Sequence, residues 1–263
     1  MNDLAQARQS NNDFPDGVAV VVGGSGGIGN AICMKLAESG ANVVFTYRNN
    51  KVKAESITNS IKALGLNTES YSVAIEHEQE VTKFFSMVIE KYKKIHTIIN
   101  ATGSNIPMLF INQLSPEKWR EVMDKDANGF FNIVHASLPH MREHSGSYVV
   151  ISTAGLKRWP TRDVLSVAPK AAIDALVTGI AREEGKFGVR ANTVALGLID
   201  AGIFQRLRGT EYSEEYVEAA IRNSSLKRLG TADEVADSVV FFASNRARFV
   251  TGQTLVLDGG FSL

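Results

Sequence analysis

The sequence predicts a one-domain α/β protein, with a doubly wound parallel sheet of about seven strands and helices on both faces. Three observations carry this. Apolar, β-branched runs alternate with amphipathic stretches of helical period along most of the chain. The runs are apolar at consecutive positions rather than alternate ones, as strands covered on both faces require. The first run, Val18–Val22, stops at a glycine cluster, and an amphipathic pattern (Ile28, Ala31, Ile32, Leu36, Ala37) begins there, which reads strand, tight turn, helix.

Residues 1 to 17 are polar and lack an apolar signal core, so a loose tail is expected there, with the domain running from 18 to 263. In the turn Gly23, Ser25, Gly26, Gly27, Ile28 and Gly29, the glycines let the backbone approach a bulky anion. The helix that follows points unpaired N–H groups at it. A dinucleotide pyrophosphate is the usual guest of such a turn.

A buried second strand, Asn42–Tyr47, precedes a charged helix over Val52–Leu64. A third strand is read at Ser70–Ala74. The helix over Glu78–Tyr92 then gathers Val81, Phe84, Phe85, Val88 and Ile89 on one face. Ile95–Asn100 is the fourth strand. Pro116 opens a helix, a longer one spans Trp119–Met141, and Ser147–Ser152 is the fifth strand. An alanine-rich helix covers Lys170–Phe187 and a strand follows at Arg190–Val194. Leu198–Ser225 breaks the alternation beyond the sixth strand's carboxyl end, where ligands of such sheets bind, so it is read as a substrate lid. A helix over Thr231–Ala243 and a strand at Thr254–Leu257 close the chain.

Composition narrows the function. Of 263 residues, 44% are hydrophobic and 21% charged, and 28 basic residues balance 28 acidic ones, so no nucleic-acid or polyanion partner is expected. The single cysteine, Cys33, has no disulfide partner within the chain and is expected in the core, in a reducing compartment. No run approaches the roughly 18 apolar residues of a membrane span. A cytoplasmic protein with no membrane partner follows as the expectation. The five histidines show no metal-ligand spacing, so no metal is expected, and His135, His140 and His144 are read as facing a partner subunit or solvent.

The Gly23-x-x-x-Gly27-Ile28-Gly29 turn resembles that of the short-chain dehydrogenase/reductase family, whose members include 3-oxoacyl-carrier-protein reductases. The resemblance runs from Val18 to Gly260. Asn100-Ala101-Thr102-Gly103 looks like the family's cofactor-flanking turn, and Asn192, Gly197 and Ile199 like its nicotinamide segment. Arg228-Leu229-Gly230, Thr251-Gly252-Gln253 and Asp258-Gly259-Gly260 match its C-terminal part. The resemblance implies a Rossmann-like fold, a nicotinamide dinucleotide, hydride transfer, and a homo-oligomer, tetramer or dimer. Arg48, with Asn49 beside it, stands where NAD-using members tend to carry Asp. A guanidinium suits a 2′-phosphate, so NADP(H) is expected over NAD(H).

The catalytic positions depart from the family pattern. The family's reaction uses a Tyr four residues before a Lys, a Ser thirteen residues before the Tyr, and an Asn on the preceding long helix. Here Lys170 remains, Ser166 stands at the Tyr position, Thr153 at the Ser position and Asp126 at the Asn position. Ser166 is also read as a helix N-cap, with Pro169 at the third helical position. Asp126 is also read as a cap or as an ion-pair partner. The family's dienoyl-CoA reductases also carry Ser there and take a Tyr from just beyond the fifth strand, where this chain has Gly155. Its enoyl reductases place Tyr seven residues before Lys, where this chain has Asp163, an acid whose pKa burial would raise. Lys157, Arg158, Trp159 and Arg162 crowd that loop and suit an anionic or acyl-carrier substrate. The resemblance thus implies an NADP(H)-dependent oxidoreductase acting on a carbonyl or activated C=C, such as an acyl thioester, with an unusual proton source. The alternative is a dinucleotide-binding subunit or cofactor sensor without turnover.

Overall fold

A computed structural model describes residues 13–263. Seven parallel strands form one sheet in the order β3-β2-β1-β4-β5-β6-β7, with β1 Val18–Val22, β2 Asn42–Tyr47, β3 Thr68–Ser72, β4 Ile95–Asn100, β5 Ser147–Thr153, β6 Arg190–Leu196 and β7 Thr254–Leu257. Parallel neighbours need crossovers, and the helices α1 Gly27–Glu38, α2 Lys51–Ala63, α3 Glu78–Tyr92, α5 Gly129–His144, α6 Val164–Glu184 and α9 Ala232–Ala243 make them, with the short α7 Ile203–Leu207 and α8 Glu214–Asn223 between β6 and α9. A short α4, Pro116–Met123, leads through a π-helical turn at Asp124–Asn128 into α5.

Alternation along β1 divides the interior. Ala19 and Val21 join α1, α2 and α9 in one apolar cluster. Val18, Val20 and Val22 join α3, α5 and α6 in the other. Cys33 lies fully buried in the first, and burial pushes its thiol well above the ordinary range.

Strand order reverses between β1 and β4. The carboxyl ends of these two strands diverge into helices on opposite faces and leave a crevice, the place where open α/β sheets bind ligands. The Ala101 N–H donates to Val22 O at 2.9 Å and fixes the crevice floor.

Several sequence expectations are corrected. Part of the expected tail, residues 1 to 12, lies outside the described residues, but 13 to 17 are held. Phe14 is buried, with its ring centroid 5.7 Å from that of His96, and Asp13 O accepts from the Asn245 N–H at 2.7 Å. Strand β3 starts two residues earlier than read, because Thr68 pairs in register with Val43. Helix α6 starts at Val164, not Lys170, so Ser166 is its third residue and not its N-cap, and Pro169 lies inside it. Burial of Val164 and Leu165 against Ile106 and Val122 draws the start back. Finally, Val164–Phe187 is long and apolar enough to cross a membrane by length and composition alone. In the fold it packs along β5 and β6 as a core helix carrying Lys170.

Candidate active site

Above the crevice lies a cavity of about 810 Å3, within the range of small-molecule sites. The glycine turn, the loop after β4, the ends of β5 and β6, one face of α6 and the segment covering 198 to 216 enclose it.

The turn is built for close approach. Gly23 has φ of +84°, where a side chain is strained. A Cβ on Gly29 would overlap Gly23 O, and one on Gly27 would stand 2.5 Å from Gly202 N of the covering segment. The Gly23 N–H donates to Thr46 Oγ1 at 3.0 Å, tying the turn to β2. In α1 the Asn30 N–H bonds Gly26 O at 2.9 Å, so the N–H groups before it are left for a ligand. No side chain caps this helix and no acid occupies its first turn. An anion fits this cradle, and so does the diphosphate of a dinucleotide.

Gly26, Gly27, Ile28, Gly29, Ala101, Gly103, Gly197, Ile199, Thr153, Ser166, Lys170 and Asp126 all line the cavity. Gly23, Ser25 and Asn100 stand in the elements behind it but not on its wall. Asn100 Oδ1 accepts from Thr102 Oγ1 at 2.7 Å, while its buried Nδ2 has no partner. Arg48 and Asn49 are exposed at the end of β2, off the cavity wall. Arg48 makes a two-point ion pair with Glu76, Nη1 to Oε2 at 3.2 Å.

The centre of the site is a buried ion pair. Lys170 Nζ lies 3.1 Å from Asp126 Oδ2 and 3.4 Å from Thr102 O. Asp126 Oδ1 also accepts from the Ser104 N–H at 3.1 Å and from Ser104 Oγ at 2.6 Å. Asp126 sits in the π turn, an irregularity common at functional sites. Thr153 ends β5, and its Oγ1 accepts from the Gly155 N–H at 3.1 Å. Ser166 is half-buried one helical turn before Lys170.

Asp163 takes the N-cap position of α6 but caps nothing. It is 8% exposed and lines the cavity, and burial raises its carboxyl pKa from 3.8 to about 7. Asp174, one turn beyond Lys170, is raised too, through burial.

Two phenols on the cavity wall, Tyr212 and Tyr216, come from the covering segment and were not singled out in the sequence. Their rings stack with centroids 5.2 Å apart, and burial first, then the nearby Asp163, pushes both phenols up. Tyr148, in contrast, is fully buried beneath α5 with its hydroxyl 2.7 Å from Ser137 Oγ. Among the histidines, His140, His144 and Glu143 bring ligand atoms within 4.8 Å of one another. His140 Nε2 accepts from the Ile95 N–H at 3.1 Å, so the ring's proton sits on Nδ1 and no lone pair faces a metal there.

A doubly wound sheet with a glycine cradle at its switch point and a lysine–acid pair in the adjoining cavity defines a dinucleotide-dependent class of fold. The chain belongs to the short-chain dehydrogenase/reductase family and is an oxidoreductase of that kind. The family model described as enoyl-(acyl carrier protein) reductase matches residues 22–262. The chain is similar to 3-oxoacyl-(acyl-carrier-protein) reductase FabG of Staphylococcus aureus, 30% identical over 243 residues, covering 92% of this chain and 96% of the relative. It is 32% identical to the peroxisomal 2,4-dienoyl-CoA reductase of Saccharomyces cerevisiae, over 94% of this chain and 84% of that one. A solved short-chain dehydrogenase/reductase from Mycobacterium ulcerans superposes with TM-score 0.88 at 28% identity, over 95% of this chain and 91% of that one.

Proposed function

We propose that this chain is an NADP(H)-dependent reductase. It delivers hydride to a carbonyl or activated C=C of an acyl thioester, in a site without the family's usual phenol. The observation that carries this is the Asp126–Lys170 pair, buried in the same cavity as the glycine cradle. Burying two charges costs several kcal/mol per ion before their attraction offsets it. An ammonium kept there at that cost, beside the cradle, suits a sugar hydroxyl.

A nicotinamide dinucleotide supplies the hydride when bound. The turn holds its diphosphate, Lys170 its ribose, and Asp126 holds Lys170 in place. Thr153 donates its hydroxyl to the substrate carbonyl, and Ser166 keeps a water beside Lys170. Arg48 binds a 2′-phosphate once it leaves Glu76, and Asn49 lies beside it. Arg158, Arg162 and Arg206 line the cavity and suit the anionic carrier of an acyl thioester, the substrate type named in the FabG and dienoyl-CoA relatives. We further infer a cytoplasmic homo-oligomer joined through its long helices, where Phe131 of α5 is 55% exposed, with no nucleic-acid or membrane partner.

The test is NADPH and NADH binding by fluorescence, then absorbance at 340 nm with ketones, 3-oxoacyl thioesters and enoyl thioesters. Binding with turnover of one thioester class is expected. Tight NADPH binding without turnover on any of them favours the second reading, a dinucleotide-binding subunit, which Ser166 in place of a phenol supports.

A further inference from the structure

The reduction proposed above needs a proton as well as a hydride, and the positions read as catalytic do not include a strong enough acid. A serine hydroxyl is a far weaker acid than a phenol, and Lys170 is committed to Asp126 and Thr102 O. The cavity wall holds one carboxyl that no other group uses. Asp163 is buried, lines the cavity, and among the described residues its side chain neither caps α6 nor joins an ion pair. An aspartate at an N-cap ordinarily accepts from the N–H two or three residues on, a bond that stabilises by about 1 kcal/mol. Here that bond is not made.

Helix geometry then sets the alignment. Asp163 immediately precedes α6, three residues before Ser166 and seven before Lys170, and all three line the cavity along a rise of roughly 10 Å.

We propose that Asp163 is the proton donor of the reaction: its unbonded carboxyl, in the cavity wall two turns before Lys170, protonates the substrate. The inference rests on the reductase reading. As hydride from the reduced nicotinamide adds to the substrate carbon, an electron pair moves onto the carbonyl oxygen, or onto the α carbon of an enoyl thioester. The Asp163 O–H bond breaks, and a new O–H or C–H bond forms on the substrate. The carboxylate then regains a proton from solvent through the cavity mouth.

The groups facing Asp163 are consistent with this role. Tyr212 and Tyr216 are pushed up by burial and by Asp163 itself, so both phenols are weaker acids than a free tyrosine. The Tyr212 hydroxyl lies 3.7 Å from Met108 Sδ. Arg158, Arg162 and Arg206 line the cavity; Arg158 Nη1 donates to Phe261 O at 2.6 Å and Arg162 lies 5.9 Å from the Phe110 ring centroid, and among the described residues none of the three pairs with Asp163. The carboxyl stays protonated to about pH 7, which suits an acid working near neutrality.

The experiment compares wild type with Asp163→Asn and Asp163→Glu, all as full chains. Infrared difference spectra of the free protein should show a carboxyl C=O band that fades as pH rises through neutrality and is missing from Asp163→Asn. NADPH affinity should be unchanged. Single-turnover hydride transfer should fall by about 10²–10⁴-fold in Asp163→Asn, recover in part in Asp163→Glu, and lose its alkaline limb only in Asp163→Asn. Tyr212→Phe and Tyr216→Phe should retain that limb. Turnover surviving in Asp163→Asn, or a limb that follows either tyrosine, overturns the assignment and leaves the reductase reading standing. A titrating carboxyl in a wild type that reduces no substrate overturns both.

Discussion

Replacing Asp163 by Asn should stabilise the protein, and by an amount that depends on pH. The residue is buried in the cavity wall and, among the described residues, its carboxyl has no partner, so its ionised form is the costly one in the fold. Unfolded, it titrates near its ordinary 3.8; folded, near 7. Below 3.8 the group is neutral in both states and costs nothing. Between 3.8 and 7 the unfolded chain releases its proton first, so stability is lost progressively as pH rises. Above 7 the loss is complete. At about 1.4 kcal/mol per tenfold change in proton affinity, a rise from 3.8 to about 7 gives a ceiling of about 4 kcal/mol. Asn keeps the shape and removes the charge. Urea unfolding of the two proteins should therefore give midpoints that nearly coincide near pH 4, separate up to pH 7, and run parallel above it. A chain of this size shifts its melting temperature by roughly 2–4 °C per kcal/mol, so a separation of several degrees is expected near pH 8. Parallel curves across the whole range would show that the carboxyl is solvated or paired in solution and would refute the reasoning.

Three further outcomes follow from the site. Asp126→Ala strands the Lys170 ammonium at 10% side-chain exposure and should cost about 3–5 kcal/mol in urea unfolding, whereas pairing it with Lys170→Met should restore most of that. Arg48→Ala should weaken NADPH binding but not NADH, while Glu76→Gln, which frees Arg48, should tighten NADPH, both read by fluorescence titration. Ser166→Tyr adds a phenol one turn before Lys170. Ketone reduction gained at 340 nm would show a cavity otherwise competent, and none gained would argue that the covering segment already fills that space.

What the sequence reveals of this molecule depends on distance along the chain. The β1–turn–α1 unit is legible because strand, glycines and helix are contiguous, and the close approaches of Gly23, Gly24 and Gly29 are met within the turn or on the adjoining strands and loops. The two-faced burial of β1 is likewise written in its unbroken apolar run, whereas β4 is buried throughout although His96, Thr97 and Asn100 interrupt its apolar pattern. The start of α6 is misleading. Pro169 signals a helix beginning, yet the helix starts five residues earlier. A proline in a helix interior costs about 3 kcal/mol, while burying a valine and a leucine contributes about 3–6 kcal/mol, so burial of Val164 and Leu165 prevails. The contact between Asp126 and Lys170 joins residues 44 apart and depends on a π turn that no spacing announces. Tyr212 and Tyr216 reach the cavity only because the segment after β6 folds back over the glycine turn, with Gly202 against Gly27.

Two carboxylates on one cavity, placed by different elements, illustrate why residue type alone does not assign roles. Asp126 is surrounded by donors: an ammonium, a hydroxyl and a backbone N–H. Those bonds fix the carboxyl in place beside Lys170 and take up both of its oxygens. Asp163 faces the same cavity and, among the described residues, its carboxyl accepts no hydrogen bond. Its surroundings favour the protonated form, which can lose that proton when negative charge develops nearby. Two acids on one cavity serve different tasks when one is held by donors and the other is not. The proton-donor role of Asp163 depends on those missing bonds: a protein donor found within hydrogen-bonding reach of that carboxyl in solution would leave it engaged like Asp126 and leave the proton to solvent.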